Sequence, residues 1–148
     1  MGTKFLHEGE FVSGKGKFYP SHYIPPVEEA DDEYSYIMMT GRMLYHYHTG
    51  TMTRNSNAIN KHESEAYIEI SIEDARELDI KDHDRVKVAS RRGEIETYAK
   101  IVDRVQPGQL FMPFHYAESP ANRLTLDELD PEAKIPELKV TAVKLEKV

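Results

Sequence analysis

No apolar period in this chain outlasts one short element, and that limits its folds more than any other feature. Tyr36-Ile-Met-Met-Thr40 is an apolar run ended by Gly41, and Tyr67-Ile-Glu-Ile70 alternates. Arg85-Val-Lys-Val-Ala-Ser90 and Glu94-Ile-Glu-Thr-Tyr-Ala-Lys-Ile101 alternate on either side of Arg92-Gly93. Gln109-Leu-Phe-Met-Pro-Phe114 follows the Pro107-Gly108 turn, and Lys139 to Glu146 closes the series. Alternation with a period of two shows one face to a core and one to water, so each run reads as a strand. One helix, Ile72 to about Leu78, opens on Ser71 with Asp74 three positions on, a capping pattern. Several short strands with one inserted helix predict a mainly β chain with short helices, closed into a small barrel, rather than βαβ units.

The N-terminal part reads differently. Ser13-Gly14 and Lys15-Gly16 suit a hairpin turn between two short strands, and Tyr19 to Tyr34 mixes three prolines with five acidic residues and no period. This predicts a lead-in hairpin and Pro/acid-rich linker over residues 1–34 and one domain over residues 35–148. A phosphate-binding loop at Gly14 or Gly16 lacks both the GxxxxGK[ST] spacing and a following helix.

Composition removes whole classes of function. The 148 residues hold no Cys, which excludes disulfides, thiolate metal sites and cysteine nucleophiles. A net charge of −7 provides no overall field for a nucleic-acid backbone. No apolar stretch approaches the length of a membrane span and no secretory signal opens the chain, so the sequence as it stands reads as cytoplasmic. The carboxylate pairs Glu73/Asp74 and Glu94/Glu96 read as solvated surface, no serine sits in a nucleophile elbow, and Arg91-Arg92 lacks the interleaved aromatics of a nucleic-acid patch.

Two long polar stretches remain, Arg42 to about Glu65 and Glu118 to Pro136. Polar loops of this length inside a domain usually bind something or stay disordered. The run from Thr40 to Arg54 combines two Arg, two His, four threonine hydroxyls and two Gly with no acid. Donors in that excess suit an anionic, heteroatom-rich ligand such as a nucleotide diphosphate or pterin, with Gly allowing close backbone approach. His46 and His48, two apart on an extended chain, share a face and with His115 allow a metal-dependent barrel enzyme instead. An interaction module with no small ligand is the third reading of the same residues.

The runs TGRMLYHYHTGTMTRNS, EAYIEISIEDARELDIKDHDRVKVASRRGEIETYAKI, PGQLFMPFHYAESPANRLT and DPEAKIPELKVTAVKLEK, in this order, resemble the C-terminal domain of molybdopterin-dependent oxidoreductases, above all that of formate dehydrogenase catalytic subunits. The resemblance runs from about Phe5 to the C-terminus. It implies a double-psi β-barrel closing over a bis(molybdopterin guanine dinucleotide) cofactor that carries molybdenum or tungsten. By motif, Thr40, Gly41, Arg42, Leu44, His46, His48, Thr49, Gly50, Met52, Thr53 and Arg54 would line pterin and phosphate. Asn122 would meet a pterin edge, and Lys139 would lie near the dinucleotide. Leu138 stands where the family often has an aromatic residue, and His83 where it has Gly. The family's metal-coordinating Cys or selenocysteine and its catalytic His and Arg belong to upstream domains, so the resemblance implies a chain that binds without catalysing and whose partners are those domains.

Overall fold

The computed structural model describes residues 4–148. The alternating runs form β1 (Tyr36–Gly41), β2 (Tyr67–Ser71), β3 (Arg85–Ser90), β4 (Gly93–Val102), β5 (Gln109–Pro113) and β6 (Thr141–Lys147). They close into a barrel in the order β1-β5-β2-β4-β3-β6, which leaves no sheet edge exposed. β1 and β5 are parallel, from Ile37 opposite Gln109 to Gly41 opposite Pro113. β2 and β4 are parallel too, from Tyr67 opposite Tyr98 to Ser71 opposite Val102. The other neighbours are antiparallel, and β3 with β4 forms a hairpin. Two parallel pairs inside an otherwise antiparallel closed barrel make this a double-psi β-barrel.

One face of each strand fills the interior. Met38, Ile68, Ile70, Val86, Val88, Leu110, Met112 and Val143 are fully buried, while Arg85, Glu94 and Glu96 on alternate positions face water. Burying a side chain of this size contributes roughly 1.5–3 kcal/mol, so this set supplies the main favourable term of folding. α2 (Ile72–Glu77) follows β2 directly, with the Ser71 Oγ accepting from the Asp74 amide at 3.0 Å. Asp74 is buried, not solvated as its sequence position suggests, because its carboxylate accepts from the Ser71 hydroxyl at 2.8 Å and from the Gly108 amide at 2.9 Å. His83 adopts φ 65°, the left-handed conformation for which Gly, the family's residue there, carries no steric penalty.

The lead-in differs from expectation. Its Gly14 turn is present, with the Gly14 amide donating to the Phe11 carbonyl at 2.8 Å, but the flanking strands reduce to one bridge between Phe11 and Gly14. A two-stranded ribbon with no third strand or helix to pack on is marginal. The linker is fastened to the β3–β4 hairpin near its C-terminal end, by Glu28, by an Asp31–Arg91 ion pair and by Arg91 over the Tyr34 ring. Glu28, 9% exposed, binds Arg91 at 2.5 Å and Arg92 at 2.8 Å and accepts from the Ala142 amide at 2.9 Å. Burial raises the Glu28 pKa, yet Arg92, the Ala142 amide and Arg91 together bring it below the usual glutamate value. The two polar stretches contain short elements that periodicity cannot detect, namely a 3₁₀ turn at Thr53–Asn55, α1 (Asn57–Asn60) and a 3₁₀ turn at Ala121–Arg123. No helix of the described residues is long and apolar enough to cross a membrane.

Candidate functional site

The parallel pairing of β1 with β5 sends both strands out at the same rim, so the loops that follow them start side by side. The Phe114 amide continues the ladder by donating to the Gly41 carbonyl at 3.3 Å. Residues Arg42–Ala66 and Phe114–Val140 therefore leave from neighbouring points, which brings together two stretches far apart in sequence.

At the strand end Thr40 is buried, and its Oγ1 donates to the Leu138 carbonyl at 2.7 Å. Lys139 Nζ donates to the Thr40 carbonyl, which seats Lys139 at this rim. Gly41 is dictated by packing, since a Cβ there would lie 2.3 Å from Cε2 of Phe111. Arg42 and Leu44 come next and are exposed. With Met39, Met43 and Phe111 they line a cavity of about 390 Å³ on the outer wall, beside the buried Glu69 carboxylate and its bidentate partner Arg104. Arg42 itself makes no hydrogen bond or ion pair with the described residues.

His46 sits in a bend and His48 in a turn with φ 51°, not on a strand. Both ring nitrogens of His46 are engaged: Nδ1 lies 3.0 Å from Thr53 Oγ1 and Nε2 3.2 Å from the Glu63 carbonyl oxygen. The Thr53 hydroxyl also accepts from the Tyr47 amide at 3.2 Å, so the loop braces itself around it. Thr49 Oγ1 meets Thr51 Oγ1 at 2.9 Å. Gly50, at φ 73°, bonds its amide to the Tyr47 carbonyl and receives the Arg54 amide, and a Cβ there would lie 2.9 Å from Cγ of Arg54. Met52 is exposed.

The histidine metal site that the spacing allows is not formed. His48 is exposed, with its ring edge-on to Tyr47, and takes no part in the stacked pair formed by the other two. His46 and His115 stack with centroids 4.4 Å apart, presenting ring faces to each other instead of converging lone pairs. No group of three or more His, Asp or Glu able to hold a metal occurs among the described residues. His115 packs next against Tyr116 and is buried, with Nε2 unpaired. Burial, then the charges of His46 and Arg54, push its pKa down to about 4.

Arg54 is not a free cation. Its guanidinium holds Glu118 in two hydrogen bonds, at 2.6 and 2.8 Å, and lies 5.2 Å from the centroid of the Tyr116 ring. Sequence reasoning missed Glu118, Tyr116 and the His46–His115 stack, because each depends on contacts across many residues. The one legible signal was the polar character of both stretches. Asn122 stands on the 3₁₀ turn, exposed, its backbone carbonyl accepting from Thr125 and its side-chain amide unpaired among the described residues.

This donor set fits a dinucleotide. A guanidinium and an amide stand without partners, a left-handed Gly50 turn keeps a Cβ out of the loop, and one imidazole nitrogen is buried with nothing to bond. Glu118, in the second of these loops, and Glu69, beside the Arg42 cavity, are paired with Arg54 and Arg104. Polar groups so arranged serve an anionic ligand with many acceptors.

Residues 36–142 match the family model described as the Molydopterin dinucleotide binding domain. Over 99% of its length the chain is 47% identical to the F420-dependent formate dehydrogenase subunit alpha of Methanocaldococcus jannaschii. It is 46% and 43% identical to the alpha subunits of formate dehydrogenases 1 and 2 of Methanococcus maripaludis. The chain spans 22% of the length of each of these relatives. Among solved structures, acetylene hydratase from Pelobacter acetylenicus superposes with a TM-score of 0.68 at 16% identity, over 78% of this chain and 18% of that one, a likeness of fold.

Proposed function

The chain belongs to the molybdopterin dinucleotide-binding domain family, and from that premise we propose that the rim above β1 and β5 holds part of a bis(molybdopterin guanine dinucleotide) cofactor carrying molybdenum or tungsten. The larger setting of this reading is a formate dehydrogenase-like oxidoreductase, after the relatives of which the chain spans 22%. Its other domains, in the same chain or a separate subunit, are the partners and supply the catalytic groups. Residues 35–148 are the binding domain and residues 1–34 its lead-in.

The observation that carries the reading is the pairing of unengaged donors with a rim built from two loops. Arg42 meets phosphate charge, for which a planar fork of N–H groups is suited. Asn122 offers both a donor and an acceptor to a pterin edge. Gly41 and Gly50 let backbone come close, while Thr40, Leu44, His46, His48, Thr49, Met52, Thr53, Arg54 and Lys139 complete the wall. When bound, the group supplies a redox-active metal held by dithiolene sulfurs. This chain's residues orient it and keep water from one side.

The test is titration of the folded 148-residue chain with guanosine diphosphate, followed by calorimetry. One domain gives only part of the envelope and ordering the loops consumes contact energy, so the expected Kd is about 10 μM to 1 mM. Heats indistinguishable from dilution throughout that range, in protein whose circular dichroism shows the barrel intact, would overturn the reading.

A further inference from the structure

The lead-in segment carries apolar surface that the barrel does not cover. Half of the exposed large apolar side chains among the described residues fall within residues 5–27. Val12 and Phe18 are as exposed as in an open chain, at 101%, and Tyr19, Tyr23 and Ile24 stand at 79%, 85% and 82%. Apolar side chains scattered singly over a surface are ordinary, but a continuous run of them marks an interaction surface. The segment has no helix or strand of its own from residue 15 to residue 35. Pro20, Pro25 and Pro26 hold such a stretch extended, at about 3 Å per residue, so Phe18 can stand roughly 30 Å along the chain from Glu28.

One end is nevertheless fixed. Glu28, bound by Arg91, Arg92 and the Ala142 amide, ties the segment to the β3–β4 hairpin and the start of β6. The exposed run is therefore an arm with a set point of departure. The relatives align over 99% of this chain, lead-in included, and hold the greater part of their length outside it.

We propose that residues 5–27 are a docking strap that lies along an apolar groove on the remaining part of the larger oxidoreductase subunit, with Phe18, Tyr19, Tyr23 and Ile24 as its anchors. This rests on the proposed setting in such a subunit and adds which segment makes the attachment. Lys15 and Lys17, just ahead of Phe18, call for acidic residues at that end of the groove. Three of the four anchors are aromatic, which gives large contact area at low rotamer cost, and Tyr is among the residues enriched in interface hot spots.

The test mixes the 148-residue chain with the Methanocaldococcus jannaschii alpha subunit expressed without its aligned portion, and measures complex formation by sedimentation. The chain is expected to bind, the variant Phe18→Asp/Ile24→Asp to lose at least tenfold in affinity, and Val148→Asp, an exposed apolar position after β6 and away from both lead-in and rim, to bind the remainder as the parent does. Trypsin cutting after Lys15 and Lys17 is expected to slow at least tenfold in the complex and not in the variant's mixture. Equal binding and equal cutting for parent and variant would overturn the strap while leaving the assembly standing. Absence of binding by parent and variant alike would overturn the assembly itself. A chain that dimerises alone and becomes monomeric with Phe18→Asp/Ile24→Asp would give the strap to a second copy and overturn this assignment.

Discussion

Arg54 and Glu118, 64 positions apart, face each other in a two-bond ion pair that joins the two polar loops above the barrel. The loop that carries Arg42 and the loop that carries Asn122 are thus held together by this pair along with the His46–His115 stack and the hydrogen bond from the Tyr116 hydroxyl to the Glu63 carbonyl. The Tyr116 ring beneath the guanidinium adds a cation–π contact.

Replacing Glu118 by Gln is expected to cost about 0.5–1 kcal/mol, a modest figure because the side chains are 30% and 46% exposed and solvent screens the pair. Arg54, first among the causes, holds the Glu118 carboxyl below its usual value. A depressed carboxylate stabilises the fold above its unfolded pKa, and this stability is lost as pH falls through the folded value. Urea midpoints should therefore separate parent from variant at pH 7 and converge at low pH. A constant gap at every pH would assign the loss to something other than this pair.

His115 makes the opposite kind of group, a base kept neutral. Its pKa is pushed from the usual 6.5 to about 4, so between those values the unfolded chain takes up a proton that the folded chain refuses. Stability should fall as pH drops from about 6.5 to about 4 and level off below, by at most about 3 kcal/mol from this residue. His115→Phe, which keeps a stacked ring on His46, should flatten that part of the curve. An unchanged slope would mean that other groups set it.

Gly41 and Phe111 should couple. A Cβ at residue 41 would overlap the Phe111 ring at 2.3 Å, so Gly41→Ala is expected to destabilise by about 1–3 kcal/mol. In a Phe111→Leu background the same change should cost less, with an interaction energy of about 0.5–3 kcal/mol in the double-mutant cycle. Strictly additive denaturant midpoints would show that the ring moves aside freely.

Much of the barrel was legible in the sequence because Val86, Val88, Ile95 and Ala99 alternate with charge, and alternation is local. Its pairing was not, because parallel neighbours such as Met39 and Phe111 are joined only through the closed sheet. The resemblance of motifs gave the double-psi arrangement that alternation alone leaves open. The rim was visible as an excess of donors between Thr40 and Arg54. That Arg54 is already occupied, and that His46 braces Thr53 instead of facing a metal, depends on contacts to Glu118 and Glu63 that no spacing rule encodes. Glu28 was hidden for the same reason, one acid among five in a linker, distinguished by its burial against the hairpin and the start of β6.

The central claim, that the dinucleotide lies on the rim above β1 and β5, is tested by cofactor occupancy in the intact larger subunit carrying Arg42→Ala, Asn122→Ala or Arg91→Ala. The measurement is metal and released guanosine monophosphate per mole of protein, with folding checked by circular dichroism. Each rim substitution leaves buried ligand atoms unpaired at roughly 1–3 kcal/mol and should lower both quantities together, whereas Arg91→Ala, at the Glu28 anchor, should leave them at the parent level. Full occupancy in both rim variants, or an equal loss with Arg91→Ala, would contradict the account and put the cofactor on another face of the barrel.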